Sequence, residues 1–164
     1  MDISKIEPGD TEVVNVFVES EKDSKSYYKY DSKTGMFNLK KVLKLPFTGS
    51  FGFIPKTHHV DGEPLDVLIL ASEAIEQGIV VEARPIGLIR LKAEIPDEVL
   101  VAVSTADSEF DNVKNLSEVS DNIMKNLRTF LEEFKDMKIE NIFDSDHAKK
   151  AVRRSIELYQ RNLI

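Results

Sequence analysis

The chain has 164 residues, no cysteine and a formal net charge of -7 at pH 7. This length suits one domain, so we expect residues 1–164 to fold as a single domain. A disulfide framework, a thiolate zinc site and a cysteine nucleophile are excluded. The negative net charge argues against a general nucleic-acid binder. No apolar run approaches the ~20 residues that span a bilayer. The N-terminus lacks the pattern of a signal peptide, and we expect a cytoplasmic protein.

The first two thirds of the chain carry short apolar or alternating runs typical of β-strands. In chain order they are residues 13–18, 25–30, 37–45, 67–70, two stretches within 80–91 around Arg84-Pro85, and 100–103. Residues 31–35 have turn composition, and the alternation in 37–45 predicts a half-buried strand. Short strands at a spacing of roughly ten residues predict a β-barrel rather than alternating β-α units.

The last third of the chain changes to a helical period. Apolar residues at steps of three and four predict amphipathic helices over 117–134 and 145–161, the second capped by Ser145. The second helix carries a basic group that predicts a solvated face, with a nucleic-acid patch as the alternative; it comprises Lys149, Lys150, Arg153 and Arg154. A barrel with helices packed on it is the predicted architecture.

An acidic segment precedes the apolar run 67–70. Asp61, Glu63 and Asp66 are three carboxylates within six residues, with Gly62 suited to a tight turn. In an extended segment Asp61 and Glu63 point the same way. Carboxylates held this close repel one another unless a cation lies among them, and their hard oxygen atoms suit Mg²⁺ or Mn²⁺. The alternative is an acidic surface loop, because Asp and Gly are common in turns.

The acidic segment resembles the signature of the soluble family I inorganic pyrophosphatases, Asp-x-Asp-Pro-x-Asp followed by an apolar strand. Here it reads Asp-Gly-Glu-Pro-Leu-Asp over 61–66. The preceding Gly-Phe-Ile-Pro-Lys-Thr at 52–57 also resembles a stretch that the family carries a few residues before its signature. The similarity extends over about 14–138. It implies an α+β, mainly β fold, with a five-stranded OB-like closed barrel and flanking C-terminal helices. It also implies a homo-oligomer, usually a hexamer.

The resemblance also implies roles for individual residues. Glu63 and Asp61 would be catalytic, with Glu63 where the family has the aspartate that orients the attacking water. Metal ligands for Mg²⁺, or alternatively Mn²⁺, would be Asp61, Asp66, Asp97 and Glu19. Lys135, Lys41 and Lys29 would hold pyrophosphate or phosphate.

Several positions depart from the family pattern. Lys41 replaces an arginine, Tyr27 a lysine and Lys29 a glutamate, and Glu94 is a candidate stand-in for a missing aspartate. Phe51 and Phe134 replace tyrosines, and Val99 replaces a lysine.

Three functions follow as hypotheses. The first is Mg²⁺-dependent hydrolysis of pyrophosphate to two orthophosphates by a divergent site. The second is a catalytically impaired relative that binds a phosphate ligand or partner without turnover. The third is an OB-like module that binds nucleic acid or protein through Tyr27, Tyr28 and nearby lysines. His58 and His59 could ligate a transition metal, but no other histidine lies nearby and the chain has no cysteine, so we predict exposed loop residues instead.

Overall fold

The structure is a computed structural model that describes residues 2–162. The strands of this part are β1 (Val14–Ser20), β2 (Ser26–Asp31), β3 (Met36–Val42), β4 (Ser50–Phe53), β5 (Asp66–Leu70), β6 (Val80–Leu91), β7 (Asp97–Ser104) and β8 (Ile139–Phe143). The helices are α1 (Asp121–Lys135) and α2 (Ser145–Arg161), with short 3-10 turns at Ile3–Lys5, Ser108–Phe110 and Leu116–Glu118. Among residues 2–162, none of the helices has the length and apolar character needed to cross a bilayer.

Five strands close into a barrel. β1 pairs with β4, β4 with β5, β5 with β7, β7 with β6, and β6 returns to β1. Only the β5–β7 pair of this ring is parallel. Outside the ring, β8 pairs antiparallel with residues 88–91 of β6. The predicted five-stranded OB-like barrel with C-terminal helices is therefore confirmed.

The long strand β6 corrects one prediction. The sequence suggests two separate stretches within 80–91, but the structure has one strand of 12 residues that pairs with β1, β7 and β8. Its register with β7 shifts between Pro85 and Gly87. A proline cannot donate to the ladder and is tolerated at such an irregularity, so the pairing shifts there and the strand continues.

Alternate side chains of β5 and β7 pack into two different apolar cores. Leu68 and Val101 belong to a core that α1 completes with Leu127, Phe130 and Leu131. Their neighbours along the same strands pack into a second core, which α2 completes with Ala148 and Val152. The barrel wall is thus apolar on both faces, which explains why residues 67–70 form an uninterrupted apolar run.

The β2–β3 hairpin forms a separate two-stranded sheet. The prediction of a half-buried strand over 37–45 is wrong, because β3 ends at Val42 and most of its side chains are exposed. Met36 and Val42 are 62% and 66% exposed, since β3 pairs only with β2 and faces outward. The inner strand β2 is half-buried throughout and carries Tyr27 and Lys29.

Capping side chains set the helix boundaries. Ser120 accepts a hydrogen bond from the Ile123 backbone N–H, so α1 begins at Asp121, later than predicted. Asp144, not the predicted Ser145, caps α2 by accepting from the His147 backbone N–H. The second helix otherwise covers the predicted span of 145–161. Both caps satisfy amide groups that the first helical turn leaves unpaired.

Candidate active site

Charged side chains from four parts of the chain meet in a cleft of about 300 Å³ beside the barrel. β1 contributes Glu19, β2 contributes Lys29, the loop before β5 contributes Glu63, and the first residue of β5 is Asp66. The other lining residues are Ile3, Tyr30, Ser32, Phe53 and Pro64. The fold therefore brings together charged residues that are up to 47 positions apart, from Glu19 to Asp66.

Lys135, the last residue of α1, bridges two of the predicted metal ligands. Its Nζ lies 3.2 Å from Asp66 Oδ2 and 3.0 Å from Asp97 Oδ2. Burial alone would lower the pKa of Lys135, but the two carboxylates outweigh this effect and raise it above the ordinary lysine value. The rings of Phe51 and Phe134 lie 5.8 and 5.5 Å from the same Nζ. Lys135 is thus a positive charge held between acidic and aromatic groups.

Glu19 is the most buried carboxylate of the cleft, with 2% of its surface exposed. Burial raises its pKa to about 7, although its Oε2 accepts a 2.7 Å hydrogen bond from the Tyr30 backbone N–H that acts in the opposite sense. A buried acid with this pKa is partly protonated at neutral pH until a cation approaches.

The acidic segment forms a turn and not the extended segment assumed from the sequence. Asp61 Oδ1 accepts from the Glu63 backbone N–H at 2.9 Å, which closes an Asx-type turn. Gly62 has φ of 82°, a conformation that glycine adopts without strain. At the base of the loop the buried Thr57 hydroxyl accepts from the Leu65 backbone N–H. Both carboxylates are exposed, and Glu63 lines the cleft.

His59 has a role that the sequence did not indicate. The prediction of an exposed loop residue is wrong, because its side chain is 12% exposed and Nε2 lies 2.8 Å from Glu98 Oε1. Its backbone N–H donates to the Glu63 carbonyl, and its carbonyl accepts from the Gly62 N–H. The bond to Glu98 raises the pKa of His59 and lowers that of Glu98. His59 therefore connects the acidic turn to β7, next to Asp97. A histidine in a loop gives no sequence signal for such a partner.

The chain is similar in sequence to inorganic pyrophosphatases. The family model for inorganic pyrophosphatase matches residues 16–160. The soluble inorganic pyrophosphatase of Zea mays is 30% identical over 98% of this chain and 78% of its own length. Soluble inorganic pyrophosphatase 1 of Arabidopsis thaliana is 29% identical, over 98% of this chain and 79% of its own. The chain belongs to the inorganic pyrophosphatase family.

Solved structures agree with this assignment. The crystal structure of inorganic pyrophosphatase from Thermus thermophilus matches with a TM-score of 0.89 at 29% identity, covering 98% of this chain and 99% of that one. That from Helicobacter pylori also has a TM-score of 0.89, at 28% identity, covering 95% and 99%. The family resemblance expected from the sequence is confirmed.

Several predicted residues do not line the cleft. Asp97 and Lys135 are joined to it through Asp66, and Asp61 touches it only through the turn that holds Glu63. Lys41 is exposed on β3 and lines a different depression of about 230 Å³ with Glu133, Phe134 and Asp136. Glu94 is exposed in the connection between β6 and β7. The structure therefore brings Lys29 and Lys135, but not Lys41, to the acidic groups of this pyrophosphatase family member.

Aromatic rings form one wall beside Lys135. Tyr27 packs edge-on against Phe134 with a centroid separation of 4.9 Å, and Phe134 contacts Phe51 and Phe47 at 5.2 and 5.3 Å. Phe51 and Phe47 are fully buried, and Val99 is also buried in this core. Phe51 thus belongs to the apolar core beside Lys135, and Tyr27 and Phe134 pack against that core.

The donor chemistry of the cleft fits a divalent cation that is shared with a phosphate ligand. Within 2–162, no three acidic or histidine side chains come close enough together to hold an ion by themselves. Mg²⁺ typically binds proteins through one or two carboxylates together with water and substrate phosphates. Asp66, Glu19, Glu63 and Asp97 supply oxygen atoms of that kind.

Proposed function

We propose that this protein hydrolyses inorganic pyrophosphate to two orthophosphates with Mg²⁺ as the cofactor and Mn²⁺ as a substitute. The observation that carries this proposal is the meeting of Glu19, Lys29, Glu63 and Asp66 in one cleft of a pyrophosphatase-family barrel, with Lys135 paired to Asp66. When bound, divalent cations would neutralise phosphate oxygens and lower the pKa of a coordinated water. The family membership favours this function over the nucleic-acid or protein-binding module.

Glu63 is the residue we assign to proton transfer. Its carboxylate is exposed at the mouth of the cleft, while its backbone is fixed by hydrogen bonds to Asp61 and His59. A carboxylate placed this way can accept a proton from the water that attacks one phosphorus. The P–O bond to the bridging oxygen then breaks, and the leaving orthophosphate takes up a proton. Asp61 orients the Glu63 backbone through its Oδ1 and is the second predicted catalytic residue.

The lysines supply positive charge to the anion. Lys135 lies between Asp66 and Asp97, so a phosphate oxygen that replaces one of those contacts keeps the ammonium paired. Lys29 lines the same cleft and offers a second donor. A preorganised cation next to developing phosphate charge stabilises the transition state more than solvent does. We assign Asp66, Asp97, Glu19 and Asp61 as the carboxylates that would share the metal.

The test is phosphate release from pyrophosphate with Mg²⁺ and with Mn²⁺, for the native chain and for Glu63→Gln. Glu63→Gln keeps nearly the same shape and removes only the proton acceptor. We expect release by the native protein and a loss on the order of 100-fold in kcat for the variant, with pyrophosphate binding retained. Equal rates for both proteins would remove Glu63 from the mechanism. No release from a folded native protein would refute the proposed activity.

A second function, phosphate binding without turnover, is favoured by the contacts of Lys135. Both of its acidic partners and two aromatic rings already surround the ammonium. Calorimetric titration with pyrophosphate in the presence of Mg²⁺ separates the two functions, because a non-catalytic binder shows saturable heat but no released phosphate.

The remaining expectations are part of the same proposal. We propose that residues 1–164 form one domain, that the protein assembles as a homohexamer, and that it acts in the cytoplasm. Light scattering tests the assembly, cooperative unfolding followed by two probes tests the single domain, and cell fractionation tests the location.

A further inference from the structure

Lys29 occupies an unusual position among the acidic groups of the cleft. It lies in the middle of β2, opposite Asn38 of β3, and lines the cleft together with Glu19, Glu63 and Asp66. Its side chain is half-buried. Unlike Lys135, it makes no ion pair within 4.0 Å among residues 2–162, so its ammonium faces several carboxylates without being fixed to one.

The charge of Lys29 is maintained by its surroundings. Burial disfavours the ammonium, but neighbouring acidic groups outweigh this cost and raise the pKa of Lys29 above the ordinary lysine value. Those neighbours are Tyr27, Asp66, Glu19 and Glu63. Lys29 is therefore a positive charge at the place where Asp66, Glu19 and Glu63 would otherwise attract a divalent cation.

A second observation points in the same direction. Asp66 and Asp97 are already paired with Lys135, and within 2–162 no three acidic or histidine groups are gathered for an ion. Before substrate binds, two ammonium groups thus neutralise part of the acidic charge. A phosphate-rich ligand would both supply oxygen ligands and draw the ammonium groups toward itself.

We propose that Lys29 is a resident counter-cation of the cleft, which suppresses divalent-cation binding to the free protein so that the metal enters together with pyrophosphate. This deepens the proposed function and rests on the cleft being its pyrophosphate site. A doubly charged ion and an ammonium separated by several ångströms at an effective dielectric between those of protein and water repel by about 1–2 kcal/mol, or about 10-fold in affinity.

The experiment measures Mn²⁺ binding by electron paramagnetic resonance, without turnover. Native protein, Lys29→Gln and Lys29→Met are titrated with Mn²⁺ alone and again with methylenediphosphonate, which cannot be hydrolysed. The matched control is Lys40→Gln, which removes the same charge from an exposed position on β3. Circular dichroism checks that each variant is folded, and the two Lys29 variants separate loss of charge from loss of a particular shape.

We expect the native protein to bind Mn²⁺ weakly alone and at least about 10-fold more tightly with methylenediphosphonate. Both Lys29 variants should bind Mn²⁺ alone about 10-fold more tightly than the native protein, with Lys40→Gln unchanged. Unchanged or weaker Mn²⁺ binding in the Lys29 variants, or an equal gain in Lys40→Gln, would overturn the inference. This experiment measures no hydrolysis. If the native protein released no phosphate in the separate assay, the proposed activity would be refuted, but the Mn²⁺ affinities of the variants would still test the role of Lys29.

Discussion

Nζ of Lys135 lies 3.2 Å from Oδ2 of Asp66, a contact between the end of α1 and the start of β5. The two residues are 69 positions apart, so the helix that follows the barrel delivers the positive charge that the acidic segment lacks. The same ammonium reaches Asp97 at the start of β7, and it thereby ties the parallel pair β5–β7 to α1. The packing of α1 against the barrel and the positive charge beside the cleft are consequently linked at one residue.

Replacing Lys135 should therefore impair both stability and activity. Lys135→Met keeps the apolar stem but leaves Asp66 and Asp97 without their partner, at a cost on the order of 1–3 kcal/mol in the free energy of unfolding. Phosphate release should fall at least about 100-fold. The control is Lys44→Met, whose exposed 3.8 Å pair with Glu133 contributes little. Urea denaturation and the phosphate assay measure the two effects, and equal behaviour of both variants would contradict this role of Lys135.

The turn at Gly62 should matter for activity more than for stability. Its φ of 82° strains any other residue, although a Cβ there would contact nothing within 4 Å. Gly62→Ala should cost about 1 kcal/mol and shift the Asp61–Glu63 turn, lowering kcat about 10-fold or more. Gly35→Ala is the matched control, since Gly35 also has positive φ (74°) in an open turn, between β2 and β3. Stability loss should be similar in the two variants, and a similar loss of kcat would show that the acidic turn has no special role.

The His59–Glu98 bond should make a pH-dependent contribution to stability. Because the pKa of His59 is raised in the folded state, its contribution is complete below the ordinary histidine value of 6.5 and is lost as the pH rises through the folded value. His59→Gln should therefore cost about 1–3 kcal/mol at pH 5.5 and less at pH 9. Guanidinium denaturation at both pH values measures this difference, with His58→Gln as the control. A cost that does not change with pH would rule out the charged bond.

Glu19 should make the folded protein less stable as the pH rises, whereas a carboxyl group with a lowered pKa makes it more stable. Its folded pKa of about 7 lies above the reference value of 4.5, so the folded protein binds the proton more tightly than the unfolded chain. In metal-free buffer the free energy of unfolding should fall as the pH rises from about 4.5 through 7. Glu19→Gln removes the titrating group and should flatten this fall, leaving the variant more stable than the native protein at pH 8. The exposed Glu73→Gln should keep the native profile; a fall that persists in Glu19→Gln would assign it to other groups.

The fold was predictable where burial and periodicity agree. The run 67–70 is buried on both faces, and the helix over 145–161 has a clear amphipathic stripe, so both were identified. β4 and β8 were missed for different physical reasons. β4 has only four residues, and Gly52 in it sits where a Cβ would overlap the Phe17 carbonyl oxygen of β1. β8 carries a polar, mainly exposed sequence whose strand form depends on pairing with β6.

The candidate site was predictable only in its residue types. The acidic segment was visible in its own closely spaced carboxylates, and Lys135 came from the family resemblance, which covers local motifs and their order. The bond between His59 and Glu98 and the position of Lys29 among three carboxylates are tertiary relationships, which spacing along the chain does not encode. The exposed position of Lys41 follows from the outward face of β3, which alternation in sequence failed to show.

The most direct test of the account is phosphate release from pyrophosphate with Mg²⁺ by the native protein beside Asp66→Asn. Asp66 joins the cleft to Lys135, and the amide keeps its size while removing the charge that would hold both the ammonium and a metal. The account predicts Mg²⁺-dependent release by the native protein and a loss on the order of 1,000-fold for Asp66→Asn, with its fold intact by circular dichroism. Release that Asp66→Asn leaves unchanged, or no release by the folded native protein, would contradict it.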